Sequence, residues 1–529
     1  MSLDLEPDRF GKPVEAVISE FLGALRPPSH LLVAISGGSD STGLLVALHD
    51  ALSRLPPTSG IRLSAATIDH ALRPESAAEA VEVGKLCAAL GVSHVTRRWS
   101  APKPATGISA AARDARYTLL SQIADDLGAT AIVTGHTLDD QIETVTMRAG
   151  RVSRLEEMEG GGYAQPISPL EGGSESGLRL VAQPRQPGRA EGGISGANAA
   201  LPLPAAPLLP PSVTVVTSPP QGGKSLGANG AVLSPHAITL PLEASGPRIQ
   251  ALGLSGMAPA TLLDARHWIL RPLLSLRRNE IRDYLTTRGQ GWIDDPSNLD
   301  PHYERVRVRQ ALSLGENPVD FTQAGQARAG LAESAAEWLS RYATVDRSVA
   351  ATIAADGFAE DPVIARHALS TLAAVLGGRP HVLSRQSADR LMAFIAAGEN
   401  GRMTAGRVVF DRRREALYLL REDRGLPECR LQPGEAGLWD GRFQVVNRSA
   451  EPIIVMAAER DGKHFETLPP GVARVASRVS PQMVGADPAE VAVTPSLCPF
   501  DRFLPVFDLP LASRIAVLFG RGGYLLPPV

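Results

Sequence analysis

Six residues near the start of the chain have the composition of a phosphate-binding loop. The segment Ser36-Gly-Gly-Ser-Asp-Ser41 follows an apolar run and precedes a helical pattern. Gly37 and Gly38 allow main-chain N–H groups to approach an anion, and Ser39 and Ser41 add hydroxyl donors. The segment is not the Walker pattern, because no Gly-Lys-Ser/Thr follows it. The other interpretation is a Gly/Ser-rich turn that only begins a helix, and the loop alone does not decide between the two.

Asp40 is unusual inside a phosphate loop. Its carboxylate repels a phosphate unless a metal ion or an amine lies between them, so we consider Asp40 a candidate Mg²⁺ ligand. A second polar cluster, Ile68-Asp-His-Ala-Leu-Arg-Pro-Glu-Ser76, contains His70 and Arg73. Both residues are expected at the same rim of the sheet as the first loop, although taken alone His70 is more often a capping or structural histidine and Arg73 a surface charge.

The third cluster is Thr134-Gly-His-Thr-Leu-Asp-Asp-Gln-Ile-Glu-Thr144. Asp140 and Glu143 are three residues apart and therefore share one face of a helix. Acids at the start of a helix can be simple caps that interact with the helix dipole. They can also bind Mg²⁺ or the ammonium group of a substrate. Arg113 and Arg116 share a face of the preceding helix, where they can meet a phosphate or a carboxylate, or only neighbouring surface acids.

These clusters follow successive strand patterns. We predict strands at residues 31–35, 61–68, 92–95 and 131–134, separated by helices at 42–55, 74–90 and 108–127. Strands that alternate with helices of this length indicate βαβ units and a parallel sheet. Ligands of such sheets bind at the carboxyl ends of the strands, where all three clusters are expected to lie.

The fold class we predict is α/β, with a parallel-sheet, Rossmann-like nucleotide-binding domain first, a helical middle domain next and a small β-containing C-terminal region last. The predicted boundaries are an N-terminal helix at 1–27, a nucleotide-binding domain at 28–151 completed by 250–275, an insertion at 152–249, a helical domain at 276–400, and an α+β region at 401–529. Helical patterns at 327–342, 362–376 and 384–397, and strand-like runs at 407–410, 416–420 and 443–446, support the last two.

The insertion has a distinct composition. Residues 151–250 contain 14 Pro and 15 Gly, and Tyr163 is their only aromatic residue. Such a segment has little to bury against the entropy of ordering the chain, so we predict a disordered insertion. A small domain with an unusual core is the alternative.

Composition excludes several classes of protein. No apolar run approaches the roughly 18 residues that span a bilayer, and the first residues lack the apolar core of a secretory signal. The three cysteines, Cys87, Cys429 and Cys498, lie far apart and predict neither a disulfide framework nor a zinc site. The net charge is −3, so a nucleic-acid partner would need a local basic patch. We expect a cytoplasmic protein with no membrane partner, of unknown oligomeric state.

In this order, the three clusters resemble the PP-loop ATP pyrophosphatase superfamily and, within it, the tRNA(Ile)-lysidine synthetases. Segments at 253–257, 271–274, 292–298 and 305–309 are similar to further motifs of that family. The resemblance is specific over roughly residues 28–150 and 250–315 and weaker in the C-terminal third. This sequence departs from the family pattern in the length of the insertion. In the family, the region that corresponds to residues 148–150 is followed closely by the segment at 253–257.

The resemblance implies ATP and Mg²⁺ as cofactors, L-lysine as substrate, and as partner an isoleucine tRNA with a CAU anticodon. Lysine would be joined to C2 of the wobble cytidine (position 34) through an adenylated intermediate, which changes codon reading from AUG to AUA. The resemblance implies the following roles: ATP binding by Ser36, Gly37, Gly38, Ser39, Asp40, Ser41, His70 and Arg73; catalysis by Asp40, Asp140, Glu143, Arg113 and Arg116, with Asp140 and Glu143 on lysine; and Mg²⁺ binding by Asp40.

Binding of tRNA has weaker support in the sequence. Residues 266–309 contain nine Arg against six Asp or Glu, a candidate phosphate-binding surface or an ordinary solvated face. Trp268 and Trp292 are available to stack on a base, but the sequence assigns neither.

Three rival functions remain at this point. A tRNA thiolase of the same superfamily would need a catalytic cysteine pair, and Cys87 is the only cysteine of the catalytic domain. Amidotransferase-type relatives would need a small-molecule acceptor and different motifs after the loop. A catalytically inactive RNA-binding protein would have no need of the complete loop and acids.

Overall fold

The computed structural model describes residues 12–148, 255–294, 304–312, 320–459 and 465–529. The predicted insertion at 152–249 lies outside the described residues. So do the first eleven residues of the predicted N-terminal segment.

The first part of the described chain alternates between helices and strands, as the apolar pattern predicts. In chain order its elements are α1 (Val14–Ala24), β1 (Ser29–Ala34), α2 (Ser39–Ser53), β2 (Ile61–Asp69), α3 (Ser76–Ala89), β3 (Ser93–Arg98), α4 (Ile108–Leu127), β4 (Ala131–Thr134), α5 (described over 138–148), β5 (Ala260–Leu263), β6 (His267–Leu270) and α6 (Arg278–Thr286).

The second part combines helices with short strands. Its elements are α7 (Glu304–Leu312), α8 (Phe321–Tyr342), β7 (Ala343–Asp346), β8 (Ala350–Ala354), α9 (Pro362–Leu376), α10 (Arg385–Ala396), β9 (Gly401–Ala405), β10 (Val408–Arg412), β11 (Ala416–Arg421), β12 (Cys429–Leu431), β13 (Ala436–Trp439), β14 (Phe443–Asn447), β15 (Ile453–Ala457), α11 (Pro470–Arg478), β16 (Pro481–Val484), β17 (Val491–Pro495), β18 (Phe503–Pro505) and α12 (Leu509–Leu518).

The central sheet has seven strands in the order β18-β5-β6-β4-β1-β2-β3. The five strands from β6 to β3 are parallel, and β5 and β18 extend the edge in antiparallel pairing. The prediction of an α/β fold with a mostly parallel sheet is therefore confirmed. The chain passes outward from β1 to β3 and then returns to place β4 on the other side of β1. This change of direction opens a crevice between the carboxyl ends of β1 and β4.

Strand β1 is buried on both faces and fixes the helices around the sheet. Leu31 and Val33 pack on one face with residues of α1 and α2, including Ile18 and Leu44. The alternate residues Leu32 and Ala34 pack on the other face with residues of α4. Because side chains alternate along a strand, one short apolar run supports both helical layers.

The helical middle region differs from its prediction at residues 343–354. Strands β7 and β8 form a hairpin there, and β8 pairs with β11 in a sheet of order β7-β8-β11-β10-β9. The predicted boundary at residue 401 therefore cuts through one sheet. The alanine-rich sequence of β8 has little β propensity, and Arg347 and Ser348 take the left-handed turn positions where glycine or asparagine would signal a hairpin.

The C-terminal region contains helices and small antiparallel sheets, and β18 returns to the central sheet beside β5. Two three-stranded sheets have the orders β12-β15-β16 and β13-β14-β17. Among the described helices, none combines the length and apolar character needed to cross a membrane.

Candidate active site

The loop after β1 leaves the start of α2 open for an anion. Helix α2 begins at Ser39, and no side chain caps it at Gly38. The loop is braced from within, since the N–H of Ser36 donates to Ser41 Oγ at 3.1 Å and the hydroxyl of Thr42 donates to the carbonyl of Gly37 at 3.0 Å. A helix N-terminus whose N–H groups have no side-chain acceptor is a ready anion site.

Gly37 is required by both its conformation and its neighbour. Its φ is +87°, and an added Cβ would lie 2.7 Å from Ile293 Cδ1. The N–H of Ile293 donates to the carbonyl of Gly37 at 2.9 Å. Ile293 therefore packs against the loop and holds it by a backbone hydrogen bond.

A second glycine allows the loops after β1 and β4 to touch. An added Cβ on Gly135 would lie 2.7 Å from the carbonyl oxygen of Asp40 and 2.9 Å from the nitrogen of Ser41. Because these atoms are backbone, they cannot move aside as a flexible side chain could. The two loops predicted from separate motifs therefore meet in the crevice of the sheet.

Three carboxylates and three guanidiniums meet at this contact. Arg278 Nε donates to Asp40 Oδ2 at 2.9 Å, and its terminal nitrogens lie 3.5 Å from Asp140 and 3.9 Å from Glu143. Arg305 bridges the acid pair, with Nε at 2.5 Å from Glu143 and Nη2 at 2.7 Å from Asp140. Arg309 Nε donates to the other oxygen of Glu143 at 2.7 Å. The structure thus brings Asp40, Asp140 and Glu143 together around Arg278.

Asp140 also holds its own loop. Its Oδ2 accepts the N–H of Thr137 at 2.8 Å and the hydroxyl of Thr137 at 3.1 Å, so one oxygen caps α5. The other oxygen faces Arg305. The capping interpretation and the cation-binding interpretation thus apply to different atoms of one carboxylate.

Burial and charge act in opposite directions on the members of this cluster. Burial raises the pKa of Asp40, although Arg278 opposes the rise. Burial also disfavours the charge of Arg278, but the carboxylates of Asp40, Asp140 and Glu143 outweigh it and raise the Arg278 pKa. Arg278 therefore remains a cation and links the phosphate loop to the acid pair.

A second group of positive side chains surrounds His136. Arg113 lies over the ring of Tyr117, 5.1 Å from its centroid. The buried Arg271 donates to the carbonyl of Ala258 at 2.8 Å. Its Nε has no hydrogen-bond partner within the described ranges.

The charges of the same guanidiniums shift the pKa values of two buried side chains, Tyr117 and His136. Burial opposes ionisation of Tyr117, yet Arg113, Arg271 and Arg116 outweigh it and lower the pKa of the phenol. Burial and then the same arginines, followed by Arg305, hold the pKa of His136 well below its usual value. A neutral histidine among several cations is an arrangement that favours an anion.

His70 and Arg73 lie at the end of β2, as predicted, but in different surroundings. Burial, then the charge of Arg116, lowers the pKa of His70, so His70 lies near the arginine group. Arg73 forms an ion pair with Glu79 at 3.0 Å. The structure thus relates His70, more directly than Arg73, to the predicted site.

Most arginines of the stretch 266–309 have partners inside the chain. Arg266 pairs with Asp125, Arg288 with Asp50 and Glu15, and Arg277 approaches Asp139. Arg271, Arg278, Arg305 and Arg309 belong to the groups above. The local excess of arginine therefore serves internal contacts and is weak support for a tRNA surface.

Neither a metal cluster nor a reactive thiol is found in the described part of the chain. No group of three or more His, Cys, Asp or Glu side chains there could hold a metal ion. Cys87 is fully buried, and burial raises its pKa to about 11. The thiol that a thiolase would need is thus absent from the described crevice.

Six contributors to this site have no role in the sequence prediction: Tyr117, His136, Arg271, Arg278, Arg305 and Arg309. Charge balance is the sequence signal that could have identified the arginines. Three acids predicted to share one site need cations beside them, and an arginine-rich stretch begins at residue 266. The pairing of each arginine could not be predicted, since it depends on how α6 and α7 pack against the sheet.

Comparisons with known proteins show which family this chain resembles. A PP-loop domain model matches residues 11–171 and 243–314. A tRNA(Ile)-lysidine synthase of Rhizobium meliloti (strain 1021) is 38% identical over 96% of both chains. The enzyme of the same name from Mesorhizobium japonicum is 33% identical over 92% of both chains. The solved U34-tRNA thiolase NcsA from Methanococcus maripaludis covers 56% of this chain and 70% of its own, with 11% identity and a TM-score of 0.31, a likeness too low to support an inference.

Proposed function

Because the chain belongs to the tRNA(Ile)-lysidine synthase family, we propose that the crevice between β1 and β4 joins lysine to the wobble cytidine of an isoleucine tRNA with a CAU anticodon. The PP-loop domain uses ATP for this ligation. The observation that carries the assignment of residues is the contact between the phosphate loop and a buried acid pair that already binds cationic side chains.

The loop from Ser36 to Ser41 is the proposed site of the ATP phosphates. Its open helix N-terminus supplies N–H donors, and the serine hydroxyls add further contacts. The cytidine O2 attacks the α-phosphorus, so a P–O bond forms and the bond to pyrophosphate breaks. The function of the loop is to hold the phosphorus in line with the attacking oxygen.

Asp140 and Glu143 are proposed to bind the α-ammonium group of lysine. The neutral ε-amine then attacks C2 of the adenylated cytidine, the C2–O2 bond breaks, and AMP leaves with that oxygen. The proton lost by the amine must pass to a base or to solvent. A nearly buried acid pair, of which Glu143 is 2% exposed, can hold a cation at a fixed distance from the loop.

Arg113, Arg116 and Arg271 are proposed to receive the negative groups of the reaction. Their convergence on Tyr117 and His136 suits the lysine carboxylate or the leaving pyrophosphate. His70 lies close enough to sense Arg116 and is assigned to the nucleotide. Arg73 retains only the support of the family resemblance.

Mg²⁺ is proposed to bind at Asp40. The described side chains lack a cluster of three ligands, which fits the usual binding of Mg²⁺ by one or two carboxylates together with substrate phosphates. The ion would offset the charge of the leaving pyrophosphate. Asp40 accepts one hydrogen bond on each oxygen, from Ser39 and from Arg278, so each oxygen keeps a lone pair for a metal ion. We expect the reaction to take place in the cytoplasm.

The direct test uses purified protein, radiolabelled lysine, ATP and a tRNA(Ile) transcript with a CAU anticodon. We expect the label in tRNA, and no label when the wobble cytidine is replaced. Pyrophosphate release without transfer of label would support the adenylation step and refute lysine as the nucleophile. Absence of both would refute the proposal.

A further inference from the structure

The guanidinium of Arg305 occupies the position that the proposed function gives to the substrate ammonium. It contacts both members of the acid pair, Glu143 at 2.5 Å and Asp140 at 2.7 Å. We propose that Arg305 is an exchangeable counter-ion, which lysine displaces and which then binds the phosphates of the nucleotide. The inference rests on the proposed lysine-binding role of Asp140 and Glu143.

Charge balance requires an exchange of this kind. The acids Asp40, Asp140 and Glu143 carry three negative charges, and the arginines Arg278, Arg305 and Arg309 carry three positive ones. An additional ammonium at the acid pair leaves an excess cation in a partly buried site. One guanidinium must therefore move to an anion or to solvent when lysine binds.

Arg305 is better suited to move than Arg278. The side chain of Arg305 is 39% exposed, whereas that of Arg278 is 19% exposed. Arg278 is also fixed by its backbone, since its N–H donates to Asp139 at 2.8 Å at the start of α6. Arg305 lies on α7, which is described over Glu304–Leu312.

The destination of Arg305 is the phosphate side of the cluster, because Asp140, which Arg305 contacts at 2.7 Å, also lies 3.5 Å from Arg278, the guanidinium bound to Asp40 of the loop. Arg305 already contributes to the lowered pKa of His136, together with Arg113, Arg116 and Arg271. A phosphate bound there attracts Arg305 away from the acid pair and empties the lysine position. Lysine and nucleotide binding should therefore be positively coupled, each making the other tighter by the same factor.

Arg307 provides a matched control on the same helix. Arg305 and Arg309 are four residues apart and share a face of α7, whereas Arg307 lies between them on another face and is exposed. The variants Arg305→Gln and Arg307→Gln each remove one positive charge. Only the first removes the cation that bridges Asp140 and Glu143.

The experiment measures binding of radiolabelled lysine by equilibrium dialysis, without tRNA, with and without α,β-methylene-ATP and Mg²⁺. For the wild-type protein and R307Q, we expect the analogue to lower the lysine Kd about fivefold or more, the lower end of ordinary coupling. For R305Q, we expect a comparably lower Kd without the analogue and no further change when it is added. R305K should be intermediate, because it keeps the positive charge and loses the forked N–H donors of the guanidinium.

Two results overturn the exchange: a wild-type lysine Kd that does not respond to the analogue, or R305Q that binds lysine no more tightly than wild type. A merely structural role of Arg305 predicts weaker binding in R305Q, the opposite direction. The wild-type comparison remains decisive if R305Q fails to fold.

The variant Asp140→Asn separates the two proposals. Normal lysine binding by D140N refutes the proposed lysine pocket itself. Loss of lysine binding by D140N, together with an unchanged lysine Kd in R305Q, refutes only the exchange.

Discussion

Replacement of Asp140 by Asn should weaken lysine use much more than ATP use. Asn has nearly the shape of Asp, and its side-chain oxygen can still accept the N–H of Thr137, so the cap of α5 is retained. The substitution removes the negative charge that faces Arg305 and, in our proposal, the lysine ammonium. Hydrogen bonds to charged groups contribute about 1.5–3 kcal/mol. At 1.36 kcal/mol per tenfold change, this corresponds to a lysine KM about 10- to 150-fold higher.

The assay separates the two half-reactions. Transfer of label from α-³²P ATP to tRNA in the absence of lysine reports adenylation, and lysidine formation at varied lysine concentration reports the second step. Asp126→Asn is the control, because it removes a carboxylate whose only described role is a surface pair with Arg97. Equal losses in adenylation and in lysine use by D140N would show that Asp140 supports the whole site, and the lysine assignment would then be refuted.

Three other predictions concern the loops, the buried histidine and the thiol. Gly135→Ala should reduce kcat/KM for both ATP and lysine by about 100-fold, because its Cβ meets the backbone of Asp40; an active variant in steady-state assays would show that the loops can separate without loss. The pKa of His136 is lower in the folded chain than the ordinary value of 6.5, so the unfolded chain binds more protons as the pH falls below about 6.5 and stability is lost in that direction. Urea unfolding at pH 7.5 and 5.5 should show a smaller acid-induced loss for His136→Gln than for wild type, and an equal loss would contradict this. Cys87→Ala should retain lysidine formation, because the Cys87 thiol is buried with a pKa of about 11; loss of activity in a variant that still melts cooperatively would revive thiol chemistry.

The sequence predicts the catalytic half of the fold well, for reasons that are local. Strand β4 was predicted as residues 131–134 and is Ala131–Thr134; helix α4 was predicted at 108–127 and is Ile108–Leu127. Continuous apolar runs between amphipathic helices have few other solutions than a parallel sheet. The antiparallel strand β18 was not predicted, because its place at the sheet edge depends on pairing with β5 across more than two hundred residues.

The site was predicted unequally for a related reason. Short side chains and glycines act close to their own place on the backbone. The position of Gly37, Asp40 and Asp140 at the crevice could therefore be predicted from their spacing after each strand. Long arginine side chains satisfy distant partners, and their assignment needs the packing of α6 and α7. The arginine-rich stretch therefore suggested an RNA surface, whereas most of its members serve carboxylates within the chain.

The buried ion cluster is better explained by a role in substrate binding than by a contribution to the stability of the fold. Taking charged groups out of water costs several kcal/mol per ion, and well-packed apolar side chains commonly stabilise a fold as well as a buried ion pair does. Three carboxylates beside a phosphate loop make the neighbourhood of Asp40 a poor site for ATP unless cations neutralise them. Arg278, Arg305 and Arg309 provide that neutralisation. Lysine brings an ammonium group into this site, and the nucleotide brings negative charge. Both can bind only if the existing ion pairs rearrange. In our proposal, the affinity for one therefore depends on the presence of the other.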